Sequence, residues 1–221
     1  MGVPRADGFF GKCNPKNKRN YRTRCSALIS TNQSNTLIDT SPDLRFQLLA
    51  NKIDSVDRVL FTHMHADQTH GINDLRVFYL NKRNKIPIYA DKLTKSYLKK
   101  ELIFKEKKNK IKINSVTVQH GLIKCMAFII NDKLAYASDI NNIYKKDIEL
   151  FKKLEYLIID CLRIHKHPAH FNLEETLNLV KILKPKKTIL TNLHSDLDYD
   201  FLLKILPKNV IPGYDGLTVN I

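Results

Sequence analysis

Short runs of β-branched and apolar residues recur along the chain, and many close on a residue able to ligate a metal. TLI runs into Asp39, RVLFT into His63, VTVQ into His120, LAYAS into Asp139 and TILTNL into His194. Between most of these runs the apolar spacing is helical. Helices are predicted from Pro42 to about Asn51, Ile72 to Leu80, Thr94 to Leu102, Lys145 to Leu154, Leu173 to Leu183 and Tyr199 to Leu206. Ser41-Pro42-Asp43 supplies a start signal for the first of them, and Asn172 with Glu175 reads as a capping box for the fifth. INSVTVQHG, KCMAFIIN and KLAYASD read as consecutive strands with Asn131-Asp132 at a hairpin turn. YLIID and TILT follow, and a closing strand is expected near LTVNI. Alternation of this kind predicts an α/β fold. Sites in open α/β sheets lie beyond the carboxyl ends of the strands, so these strand ends are expected to share one rim and one site.

The segment THMHADQTHG, Thr62 to Gly71, is the densest concentration of such residues. In extended chain the side chains alternate faces, so His63 and His65 point the same way and can grip one metal ion. Asp67 continues the alternation and His70 lies three residues further on. Imidazole and carboxylate together suit Zn, Mn or Fe, and two or three protein ligands leave a position open for water. Cys13, Cys25, Cys125 and Cys161 are far apart with no CxxC pair, which argues against a disulfide framework or a thiolate zinc site.

HMHADQTHG resembles the HxHxDH signature of the metallo-β-lactamase superfamily, and the match continues in order through Asp39, His120, Asp139 and His194. GVPR, GKCNPKN, IDTSPDLRFQL, GINDLR, IYAD, HPAH before FNLEET, HSDLDYDFL and YDGL further resemble the branch that contains phosphoribosyl cyclic phosphate phosphodiesterase. The resemblance implies an αββα sandwich. The family's usual first strand is expected to be missing, because the chain begins at Met1-Gly2-Val3-Pro4 inside the motif. It implies that His63, His65 and His120 hold a first ion, that Asp139 bridges to a second, and that Asp67 and His194 hold that second ion. Asp39 would order the ligand loop through hydrogen bonds. Gln68 stands where the superfamily has a histidine, so either Gln68 itself or His70 completes the second site, or only one ion binds. One or two ions of Zn2+ or Mn2+ are therefore the expected cofactor.

The chemistry expected of such a centre is hydrolysis, because a coordinated ion brings the pKa of water down to about 7. The favoured reading is a phosphodiesterase for a small, possibly cyclic, phosphate ester. Asp67 would orient the nucleophile, and His170, in HPAHFNLEE, would protonate the leaving alkoxide. His165 and His167 read as positioning or solvent-exposed residues. Three other readings remain open: an RNA-processing nuclease of the same fold, a lactone or thioester hydrolase, and a non-catalytic metal- or nucleotide-binding protein.

The formal charge of +15 permits attraction to phosphate-rich partners, but its lysines are scattered rather than patched and read first as a solvated surface. Cations and aromatics interleave only in the N-terminal stretch, where Arg5, Lys12, Lys16, Lys18, Arg19, Arg22 and Arg24 surround Phe9, Phe10 and Tyr21. At 221 residues, with no repeat and no linker, residues 1–221 are expected to form a single domain. No apolar run spans a membrane and no signal sequence opens the chain, so a cytoplasmic protein without membrane partners is expected, with a homodimer allowed.

Overall fold

The computed structural model describes residues 2–82, 85–98 and 111–221. They fall into two compact units, Arg24–Lys110 and the pair of segments Met1–Thr23 with Ile111–Ile221.

The unit of residues Arg24–Lys110 is built on a four-stranded sheet in the order β1 (Ala27–Thr31), β2 (Ser34–Ile38), β3 (Arg58–Leu60), β4 (Ile88–Tyr89). The β1–β2 pair is antiparallel, whereas β2, β3 and β4 run parallel. Helices α1 (Leu44–Ala50), α2 (Ala66–Thr69) and α3 (Arg76–Lys82) fill the connections that parallel pairing demands, and α4 (Lys92–Leu98) follows β4. Leu44 and Leu48, one turn apart on α1, are buried and cluster with Leu37, Val59 and Phe61 of the sheet side. The helix expected from Ile72 starts as a 3-10 turn over Ile72–Leu75 before α3. That expected from Thr94 begins at Lys92, and its proposed end near Leu102 lies outside the described residues.

The other unit carries a six-stranded sheet, β10-β9-β8-β7-β6-β5. Its strands are β5 (Ile113–His120), β6 (Ile123–Ile130), β7 (Leu134–Ala137), β8 (Tyr156–Asp160), β9 (Lys187–Thr191) and β10 (Val210–Pro212). β5, β6 and β7 pair antiparallel, and β7 through β10 pair parallel. β5 therefore points the same way as β7, β8 and β9, and the carboxyl ends of all four share one edge. Asn131 and Asp132 both take positive φ, 51° and 54°, in a turn closed by Lys133 N–H donating to Ile130 O at 3.0 Å, and Ile130 pairs with Leu134 across the three-residue loop.

Helix α5 (Leu173–Leu183) buries Thr176, Val180 and Leu183, and α6 (Tyr199–Ile205) buries Tyr199 and Leu202. The capping box at Asn172 and Glu175 is formed. The helix expected from Lys145 to Leu154 is a 3-10 helix that ends earlier, spanning Lys145–Phe151. The expected strand at LTVNI is absent, and β10 takes the sheet edge instead. At Gly213 the chain turns off that edge, its N–H donating to Leu190 O and its Cα so close that a Cβ would lie 2.7 Å from the same oxygen.

Candidate metal centre

In the four-stranded unit, Asp39 follows β2 and His63 follows β3 at the carboxyl ends of adjacent parallel strands. Asp39 is fully buried and accepts from Thr62 N–H and Thr62 Oγ1–H, both at 2.8 Å. With its hydroxyl hydrogen committed to the carboxylate, Thr62 Oγ1 accepts from His63 Nδ1, 3.0 Å away. That places the His63 proton on Nδ1 and the lone pair on Nε2, the ligating form of the ring. His63 Nε2 and His65 Nδ1 approach to 2.9 Å, with the rings edge to face. Two imidazole nitrogens bound tetrahedrally to one zinc, about 2.0–2.1 Å from it, stand roughly 3.4 Å apart. The pair is thus close to the spacing an ion requires, and its donor set fits a divalent transition metal.

The turn that follows is fixed by backbone contacts. Thr40 N–H donates to Gln68 O at 2.7 Å, and Gly71 N–H to Thr40 O at 2.9 Å. Gly71 lies so close to Ser41 that a Cβ would sit 1.9 Å from the Ser41 carbonyl oxygen. Asp67 is half-buried in the first turn of α2, and Gln68 is buried. His70 is exposed, its Nε2 2.9 Å from Tyr97 Oη.

In the six-stranded unit, His120 is the last residue of β5 and its Nδ1 lies 2.7 Å from Ala169 O. A carbonyl only accepts, so Nδ1 carries the proton and Nε2 the lone pair. Gly121, at φ 58°, lets the β5–β6 turn approach Ala169, which a Cβ would meet at 2.8 Å. Asn141 ties the same loop down, donating to Pro168 O at 2.8 Å and accepting from Gly121 N–H at 3.0 Å. Asp139 follows β7 and receives Asn192 Nδ2 at 3.3 Å. His120, Asp139 and His170 offer ligand atoms that all lie within 4.8 Å of one another, a group able to hold a metal ion.

His170 brings a partner that no motif announces. Its Nδ1 is 2.6 Å from Oδ2 of Asp160, the fully buried last residue of β8, whose other oxygen has no hydrogen-bond partner among the described residues. Burial and the nearby Asp139 push the Asp160 carboxyl well above the usual carboxylate range. A proton shared between Asp160 and Nδ1 fixes the ring and makes Nε2 the atom that faces other groups. The ring centroids of His170 and His120 are 4.6 Å apart. At the first turn of α5 the capping box takes Glu175 N–H onto Asn172 Oδ1, and Glu174 and Glu175 already supply negative charge there.

His194 follows β9 but is not part of the group of three. Its N–H donates to Leu162 O at 2.8 Å, and its Nδ1 lies 3.8 Å from Asp196 Oδ1. Burial lowers its pKa, Asp196 opposing. His165 is exposed, and His167 is half-buried with its ring 5.0 Å from that of His170. Asp160 and Asn192 are the residues that sequence reasoning missed. The signal for Asp160 was an acid closing the buried run YLIID, at the same kind of strand end that marked Asp39.

Residues 34–192 match the family described as a beta-lactamase superfamily domain. A solved structure described as a new diphosphatase from the PhnP family superposes with a TM-score of 0.93 at 27% identity, covering 100% of this chain and 93% of that one. Zinc-bound PqqB from Methylobacterium extorquens (TM-score 0.80, 14% identity, 100% and 96% coverage) and the short form of human tRNase Z (0.72, 13%, 90% and 92%) share the fold. Among curated sequences, an octanoyltransferase of Porphyromonas gingivalis is 29% identical over 242 aligned positions, which take in 98% of this chain. The chain spans about half the length of that relative, 48%.

Proposed function

Because the chain belongs to the beta-lactamase superfamily of metallo-β-lactamase-fold hydrolases, we propose that it is a metal-dependent phosphodiesterase acting on a small linear or cyclic phosphate ester. The likeness to the diphosphatase, which extends over the whole chain, supports a phosphate ester over the other substrates of such folds. His63, His65 and His120 are the ligands of a first ion in this reading, and Asp139, Asp67 and His194 those of a second. Gln68 occupies a ligand position weakened by the exchange of imidazole for amide. When bound, the metal supplies Lewis acidity and water acidified to near neutrality.

The chain's own residues do the rest. Asp39, through Thr62, and the Ala169 carbonyl hold His63 and His120 with lone pairs on Nε2. Asp67 orients the attacking water. His170 gives a proton from Nε2 to the departing alkoxide, while Asp160 keeps the ring in place. The observation that carries the reading is this His170–Asp160 pair at 2.6 Å, standing beside His120 and Asp139.

The test is hydrolysis of bis(p-nitrophenyl) phosphate by protein with a measured content of Zn and Mn. A His65→Ala protein should lose both metal and turnover, and unchanged turnover would remove the catalytic reading. His170→Ala should keep its metal, lose about 10²–10³-fold on an ester with an alkyl leaving group, and lose far less on one releasing nitrophenolate, which needs no proton. An RNA-processing nuclease of the same fold is the second reading, favoured by the charge of +15. It predicts RNA binding that falls steeply and linearly in log K against log salt.

A further inference from the structure

We propose that Arg163 is an anion anchor that holds a phosphate group of the substrate other than the one being cleaved. The inference rests on the phosphodiesterase reading for the reaction that the anchor serves. Arg163 lies in a segment fastened on two sides within one unit. Leu162 N–H donates to Phe171 O at 2.9 Å and Leu173 N–H to Arg163 O at 3.0 Å, which ties the segment to the stretch that follows His170. Leu162 O accepts from His194 N–H at 2.8 Å, and Ile164 N–H donates to Asp196 Oδ2 at 3.1 Å, which ties it to the turn that carries His194. The residue is therefore set between the loop of the proposed proton donor and the loop of a proposed ligand.

Its guanidinium is held ready rather than neutralised. Nε donates to His165 O at 3.1 Å and Nη2 to Lys166 O at 2.6 Å. These bonds spend two of the five N–H groups of the fork, and among the described residues no carboxylate pairs with it. Arg5, by contrast, is paired with Asp7 at 2.8 Å. A half-buried, preorganised, uncompensated guanidinium is the chemistry that recognises phosphate oxygens two at a time.

The first test uses the intact protein. An arginine-specific dicarbonyl reagent is applied with and without inorganic phosphate at constant ionic strength, and each arginine is followed by peptide mapping. Phosphate should slow modification of Arg163 at least fivefold while leaving the exposed Arg45 and Arg76 unaffected. Equal rates at Arg163 with and without phosphate would overturn the proposal. The second test compares two p-nitrophenyl esters of thymidine 5′-phosphate, one with and one without a 3′-phosphate. Arg163→Gln should cut the preference for the doubly phosphorylated ester, read as a ratio of kcat/KM values, at least tenfold. Arg163→Lys, which keeps the charge and loses the fork, should fall between. An equal loss on both esters would make Arg163 a structural residue and sink the anchor. Protection of Arg163 by phosphate in a protein that cleaves neither ester would remove the phosphodiesterase reading and leave the anion site standing.

Discussion

Asp39 sits at φ 60°, in the left-handed region where aspartate and asparagine are the tolerated side chains other than glycine. Its two oxygens receive both polar hydrogens of Thr62, and that arrangement decides the tautomer of His63. Asp39→Asn keeps the backbone conformation but turns one acceptor into a donor, so Thr62 can no longer satisfy both bonds. The affinity of the protein for Zn should fall about 10–100-fold, as it does when an orienting partner of a ligand histidine is lost. Competition against a chromophoric chelator measures this, and an unchanged dissociation constant would separate Asp39 from the ligands. The HxH pair and Asp39 were legible because strand alternation and a sequence signature name them. Asp160 was not, because its meaning depends on the loop that returns His170 to it, ten residues on. No local pattern encodes that return.

At the scale of elements, hydrophobic periodicity located most strands and helices, and the Asn131-Asp132 turn was readable from its residue types alone. It failed where hydrogen-bond partners decide. LTVNI alternates correctly for a strand, yet Val210–Pro212 pairs with β9 and the chain leaves the sheet at Gly213. β1 was overlooked because its residues are half-buried or exposed, so it shows no contrast between its faces. Helix α5 ends at Lys184, which adopts φ 51° and ψ 49° as the C-cap and is exposed. A non-glycine residue there costs roughly 1–2 kcal/mol, and glycine is the favoured occupant. Lys184→Gly should therefore stabilise the protein by about 1 kcal/mol, visible as a higher denaturant midpoint with an unchanged slope. A lower midpoint would mean that the lysine side chain matters more than its backbone angle. Gly71→Ala is the opposite case. With Ser41 O only 1.9 Å from the new Cβ, the turn that carries Asp67 and Gln68 must move, and a loss of about 3 kcal/mol is expected from thermal or urea unfolding.

For the molecule as a whole, the boundary between the two compact units has no mark in composition; it follows which distant segments pack together. The N-terminal residues Met1–Thr23 belong with Ile111–Ile221, a pairing of distant segments that periodicity cannot reveal. Much of it converges on Asp198, the N-cap of α6. Its carboxylate accepts from Asn14 N–H at 3.0 Å, Asn20 Nδ2 at 2.7 Å and Phe201 N–H at 2.9 Å. Burial works against ionisation, but these bonds outweigh it and hold the Asp198 carboxyl below its ordinary value. A carboxyl with a depressed folded-state pKa adds stability above its unfolded pKa of about 3.9, and that stability drains away as pH falls through the folded value. Asp198→Asn keeps one oxygen to cap Phe201 N–H, removes the charge, and turns the oxygen that receives Asn14 N–H and Asn20 Nδ2 into a donor. At pH 7 the variant should be less stable than the native protein by at least about 1 kcal/mol, the margin between charged and neutral acceptors, to which the lost acceptor adds. Because only the part of that loss owed to the charge depends on pH, the gap between the two unfolding curves should narrow as the pH drops from 5 toward 2. A gap that stayed constant over that range would show that the clasp between the two segments depends on packing and on the neutral hydrogen bonds, and not on the ionised carboxylate at the start of α6.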